Sequence, residues 1–107
     1  MSYKLIITPT FERETKSLLK KYRSIKSDLA DLFQKLEAEP IQGKSLGKDC
    51  YKIRLAISSK GKGKSGGARV ITYLKIIDKK VYLLSIYDKS EKEDISEKEL
   101  SDLLKLI

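Results

Sequence analysis

The stretch from Tyr51 to Lys75, YKIRLAISSKGKGKSGGARVITYLK, leaves few ways to fold. Tyr51, Ile53, Leu55 and Ile57 alternate with Lys52, Arg54, Ala56 and Ser58, the period of a strand with one buried face. A second run, Ala68 to Leu74, sets Arg69, Ile71 and Tyr73 against Val70, Thr72 and Leu74. Between them, Ser58 to Gly67 carries Lys60, Lys62 and Lys64 among four glycines and reads as a flexible loop. Antiparallel pairing with the aliphatic faces buried places Lys52, Arg54, Arg69 and Tyr73 on one exposed surface. Seven Lys or Arg and no acid lie between Cys50 and Ile77. A cationic platform holding an aromatic ring suits a phosphate backbone with splayed bases.

The composition of the whole 107-residue chain bounds the partner. It is one domain, 1–107, with one modest core. A formal net charge of +8 calls for an anionic partner: nucleic acid, an acidic protein or an anionic membrane surface. No apolar run reaches spanning length and no basic amphipathic helix stands out, which argues against the membrane. Leu5-Ile6-Ile7 is too short for the apolar core of a secretory leader. The lone Cys50 suits a reducing cytoplasm, and one Cys with no His argues against zinc. No cofactor is expected. Without His, acid–base chemistry falls to Lys, Arg, Tyr, Asp or Glu.

Around the platform, Tyr3 to Thr8 reads as a short strand. Thr8-Pro9 then reads as N-cap and first helical residue. Phe11, Thr15, Leu18, Leu19 and Tyr22 give a first helix to about Lys21. Ser24 starts a second, striped by Ile25, Leu29, Leu32, Phe33 and Leu36 and ended by Pro40. Ile41 to Asp49 reads as a loop. Val81 to Tyr87 is apolar on both faces and belongs inside the sheet. Ser96-Glu97-Lys98-Glu99 is a capping box, with Ile95 and Leu100 at staple positions ahead of a helix striped by Leu100, Leu103, Leu104 and Ile107. That helix could lie on the domain or on a partner. Asp88 to Asp102 holds seven acids and three Lys, a net acidic tail. The order β-α-α-β-β-β-α indicates an α+β fold with a mostly antiparallel sheet.

Gly63-Lys64-Ser65 is not a phosphate-binding P-loop: Ser58 occupies the position of the first glycine, and a strand follows rather than a helix. Crowded cations disfavour a protonated Lys, so one can serve as a base, while its neighbours stabilise a phosphorane-like transition state. Metal-free cleavage of RNA through its own 2′-OH is therefore feasible. A Lys takes the proton, an Arg holds the phosphate, and a Lys or Arg protonates the leaving oxygen. The glycine-rich tip cannot hold a reacting geometry unaided, so Lys60, Lys62 and Lys64 are expected to bind rather than catalyse.

YKIRLA, KGKGKSGGARVI and VYLLSIYDKSEKEDIS together resemble the RelE/ParE superfamily of bacterial type II toxin–antitoxin toxins, nearest the HigB/RelE branch. The resemblance spans nearly the whole chain and implies a RelE-like fold. It implies an endoribonuclease that enters the ribosomal A site and cuts mRNA, with a cognate antitoxin that wraps it. By motif match it implies active-site roles for Lys52, Arg54, Arg69, Tyr87 and Lys89, with Arg69 as phosphate holder. Some RelE toxins carry a C-terminal Tyr that stacks on the mRNA base; no Tyr follows Tyr87 here, so either Tyr87 or Tyr73 substitutes or the stacking is weaker. Two rivals share these residues: a ParE-like gyrase inhibitor, and a non-catalytic RNA- or ribosome-binding module.

Overall fold

The computed structural model describes residues 2–107. Strand β1 (Lys4–Ile7) leads into helix α1 (Pro9–Lys21) and helix α2 (Ile25–Ala38). Strands β2 (Lys44–Gly47), β3 (Cys50–Leu55), β4 (Ala68–Lys75) and β5 (Lys80–Asp88) follow, and helix α3 (Glu97–Leu104) ends the order. The five strands form one sheet in the order β1-β5-β4-β3-β2. β1 pairs parallel with β5; the other pairs are antiparallel.

Local chemistry sets the helix starts. Thr8 accepts the Phe11 N–H with its hydroxyl, Pro9 stands at the first helical position, and the same hydroxyl donates to the Leu83 carbonyl at 2.7 Å. α1 is thereby tied to β5. At Ser96 both arms of the capping box form, at 3.1 and 3.0 Å.

The sheet is buried on both faces. On one, α1 and α2 bring Phe11, Leu18, Ile25, Leu29, Leu32 and Leu36 onto Ile53, Leu55, Val70, Leu83 and Ile86. Each such side chain contributes about 1.5–3 kcal/mol by leaving water. On the other face, Leu100 of α3 packs with Cys50, Ile71, Leu84 and Tyr87. The tail helix thus docks on the domain. A bulge lets β5 serve both cores: Ile71 faces Ser85 but Thr72 faces Leu83, so Leu84 is an extra residue that turns to the α3 side.

Two expectations need correction. The 41–49 segment is not merely a loop, because Lys44–Gly47 pairs with β3. Its hairpin turn, Lys48-Asp49, has positive φ at both residues (54° and 60°) and lacks the Asn-Gly or Asp-Gly pair that usually marks such a turn. The loop after β3 is also held rather than free. Ser58–Lys60 forms a 3-10 turn, and Ile57 lies outside the strand.

Candidate nucleic-acid interface

The register of the three central strands builds the site. Arg54 of β3 lies directly opposite Arg69 of β4, and Arg69 lies opposite Tyr87 of β5. These three form one cross-strand row on the α3 side of the sheet. In the next row Lys44 faces Lys52, and Lys52 faces Ile71. α3 covers the Ile71–Tyr73 end of this face and leaves the arginine end open. There a cleft of about 720 Å³ is lined by Lys44, Lys52, Arg54, Lys64, Arg69 and Lys89, with Glu93 and Asp94 on the same wall. Like charges directly opposite across a sheet destabilise it, so the Arg54–Arg69 pair is a cost to the fold.

Arg54 is exposed to the cleft, but Arg69 is not the exposed strand-face residue its sequence pattern suggests. It is 3% exposed. Its guanidinium donates to the Lys64 carbonyl at 2.8 Å, to Ala68 O at 3.0 Å and to Ser65 O at 3.5 Å. Arg69 thus forms the floor of the cleft and a strut beneath the loop that carries Lys64. Gly67, at the end of the loop, has a packing role. It is buried, and a Cβ there would meet the Leu55 carbonyl at 2.1 Å, so this glycine serves chain packing rather than the approach of a phosphate.

The hairpin has acids nearby after all, supplied from the segment after β5. Lys52 Nζ lies 3.0 Å from Asp94 Oδ1, and this hydrogen bond, with that of the Ile95 N–H, lowers the Asp94 pKa. The charge crowding read from the sequence is therefore relieved at Lys52. Lys60 turns away from the cleft. Its ammonium donates to Asp88 at 2.8 Å and to Ser90 at 3.1 Å, with only 10% of its side chain exposed. Lys62 and Lys64 are exposed, and Lys62 lines a neighbouring hollow with Lys89 and Lys92.

Tyr87 lies beside the cleft, not in it. Burial first, and the Asp94 carboxylate next, push its pKa up to about 12 against the opposing pull of Arg69. Its hydroxyl is buried with no hydrogen-bond partner among the described residues, and the Lys92 ammonium sits 5.3 Å from its ring centre. Tyr73 is separated from the basic cluster. It packs on Tyr82, ring centres 5.8 Å apart, at the far end of α3. The structure thus brings Lys52, Arg54, Lys64, Arg69 and Lys89 to one cleft, sets Tyr87 at its border, and leaves Tyr73 and the Lys60 ammonium elsewhere.

Sequence reasoning missed Lys44 and Asp94. Lys44-Ser45-Leu46 shows no polar–apolar alternation to mark the edge strand that carries Lys44. Gly43 is the stronger signal in retrospect: its φ is +80°, and a Cβ there would meet the Lys52 carbonyl at 2.2 Å, so only glycine lets β2 start against β3. Nothing in the spacing of Asp94 marks it as a partner of Lys52, 42 residues earlier.

No helix among the described residues is long and apolar enough to cross a membrane. In fold, the chain is similar to a double arginine-to-alanine mutant of the E. coli toxin RelE in the free state, with a TM-score of 0.64 and 23% identity. That match covers 100% of this chain and 99% of the other. It is similar to the intact E. coli RelBE toxin–antitoxin complex at a TM-score of 0.63 and 20% identity, covering 81% and 96%. A RelBE toxin–antitoxin complex from Mycobacterium tuberculosis matches at 0.61 and 18%, covering 82% and 99%. Residues 4–107 match the family described as the RelE toxin of the RelE/RelB toxin–antitoxin system. The chain therefore belongs to the RelE toxin family of toxin–antitoxin systems, a family known for mRNA cleavage.

Proposed function

We propose that this toxin cuts mRNA on the ribosome, in the cytoplasm, by a metal-free attack of the RNA 2′-OH on the adjacent phosphate. The observation that carries the reading is the Arg54–Arg69 pair at the base of an open, cation-lined cleft. Two opposed arginines are unfavourable in an empty site and become favourable once a phosphate lies over them. Arg54, exposed, grips the phosphate oxygens. Arg69 supplies fixed positive charge from beneath, placed in advance for the charge that develops in the transition state. Lys52, released from Asp94 and in its neutral amine form, takes the 2′-OH proton. Lys89, on the same wall, donates a proton to the leaving 5′ oxygen. Tyr87, its pKa pushed up to about 12 and its hydroxyl buried beside the cleft, keeps its proton near neutral pH and does not act as the base. Lys62 and Lys64 bind the backbone on either side.

Primer extension on a translated mRNA after induced expression tests this. Cuts at codon positions, lost in Arg54→Ala, are expected. Intact mRNA accompanied by DNA breaks would instead support a gyrase inhibitor, and ribosome binding without cuts would support a non-catalytic module.

A further inference from the structure

The mechanism leaves unused the most enclosed charged cluster of the molecule, on the opposite side of the sheet from the cleft. Asp88, at the end of β5, is 2% exposed. Its Oδ1 accepts from Lys60 Nζ at 2.8 Å, and from the N–H and hydroxyl of Ser90 at 3.0 and 2.8 Å. Its Oδ2 accepts from the Tyr22 hydroxyl at 2.6 Å. The Lys60 ammonium also lies 5.4 Å from the Tyr22 ring centre. At the other end of the same 58–60 turn, Asp28 of α2 accepts from the Ser58 hydroxyl at 2.6 Å and the Ser58 N–H at 3.0 Å. Ser24 accepts the Ser59 N–H at 2.8 Å. Two buried carboxylates thus hold the 58–60 turn against the helical hairpin.

That turn is one root of the glycine–lysine loop. The other root is held by Arg69, through the Lys64 and Ser65 carbonyls, and by the Lys89 N–H, which donates to Gly67 O at 3.1 Å. Between the roots lie Gly61, Lys62 and Gly63; both glycines have positive φ, and beyond the Gly61 N–H, which donates to Ile57 O at 3.3 Å, little restrains the backbone. Lys64 enters the cleft just beyond this free stretch. Asp88 also directly precedes Lys89, the other cleft lysine, so its side chain fixes the strand end from which Lys89 projects.

We propose that Asp88 is a positioning residue: with Lys60, Tyr22 and Ser90 it clamps both the root of the 58–67 loop and the end of β5, and so holds Lys64 and Lys89 over the cleft. This rests on the cleavage reading for its consequence, though not for its geometry. An ion pair this enclosed exceeds what a solvated loop needs, and loss of one partner leaves a buried charge uncompensated. The titration behaviour agrees. Burial alone would raise the Asp88 pKa, but the hydrogen bonds from Lys60, Tyr22 and Ser90 outweigh it and hold the pKa well below the usual carboxylate range. The Lys60 pKa is raised, chiefly by its bond to Asp88.

The test compares wild type, Asp88→Asn and Tyr22→Phe by two readouts on the full chain. Amide hydrogen exchange of 61–67 and of Lys89 reports the clamp. Single-turnover cleavage on mRNA-programmed ribosomes, with the half-saturating toxin concentration, reports its use. For folded Asp88→Asn we expect at least tenfold faster exchange at those amides. Its cleavage step should slow about tenfold to a hundredfold through Lys89, and its half-saturating concentration should rise about threefold through the binding residue Lys64. Tyr22→Phe, which removes one of the bonds, should give about threefold effects in the same direction, and it decides the matter if Asp88→Asn does not fold. Unchanged loop exchange in a folded variant overturns the clamp, as does slower cleavage with an unmoved loop. A loosened loop in a toxin whose wild type cuts no mRNA would leave the clamp standing and overturn the cleavage reading instead.

Discussion

Arg69 shows how one residue changes meaning when its neighbours are seen. As an exposed strand residue it could be removed without harm to the fold. As a buried guanidinium donating to three carbonyls it cannot. Arg69→Ala is expected to destabilise the protein by ~1–3 kcal/mol, the lower end applying if the Lys64 and Ser65 carbonyls recover water. It should also slow cleavage by ~10²–10³, the usual cost of losing one oriented charge. Denaturant unfolding beside single-turnover cleavage measures both, and a stability equal to wild type would show that the strut is idle. Tyr87 gives a second expectation at this scale. Its folded pKa, about 12, lies above its ordinary value near 10, so the neutral phenol contributes stability that is present below pH 10 and lost as pH rises toward 12. Tyr87→Phe should abolish that alkaline loss. At neutral pH it should change stability by less than ~1 kcal/mol, since the hydroxyl has no hydrogen-bond partner to lose. Unfolding curves for the two proteins at pH 7 and pH 11 decide it.

Elements with one strong period or one strong cap were legible in the sequence. α1, α2 and α3 carry clear stripes and start at Thr-Pro, after Ser24, and at a capping box. β3, β4 and β5 alternate or are wholly apolar, and their neighbours in the sheet follow from that. β2 was hidden because its turn reaches positive φ with Lys48 and Asp49, and because only the register, not the local pattern, makes it a strand. The burial of Arg69 and the inward turn of Lys60 were hidden for another reason: their partners are a loop carbonyl and a carboxylate 28 residues away. Alternation says which face a side chain takes, not whether another segment covers it. α3 is the case where cap and cover meet. Ser96→Ala should cost ~1 kcal/mol through the lost cap. Leu100→Ala should cost ~2–5 kcal/mol, because Leu100 is 6% exposed among Cys50, Ile71, Leu84 and Tyr87. If chemical denaturation of Leu100→Ala matches wild type, α3 is not part of the folding unit.

For the whole molecule the decisive quantity is where the excess positive charge stays unpaired. The formal charge of +8 overstates what a ligand meets. Lys52 is paired with Asp94, Lys60 with Asp88, Lys21 with Glu91 and Lys92 with Glu99. In the cleft, Arg69 is buried. Lys44, Arg54, Lys64 and Lys89 line it without a salt bridge among the described residues. If these four neutralise phosphates of a single strand, the logarithm of the binding constant should fall against the logarithm of salt with a slope of about −3, at roughly 0.7 per phosphate contact. Asp94→Asn frees Lys52 to join them and should tighten binding at low salt while steepening the slope by less than one further contact. A short, uncleavable single-stranded RNA titrated between low and moderate salt measures both slopes. A slope near zero would remove the cleft from nucleic-acid binding altogether. A slope near that of all the chain's surface cations would mean that RNA coats the protein without choosing the cleft. Arg54→Ala distinguishes that last case, since losing one of four contacts shifts the slope by about 0.7, whereas losing one of many leaves it almost where it was.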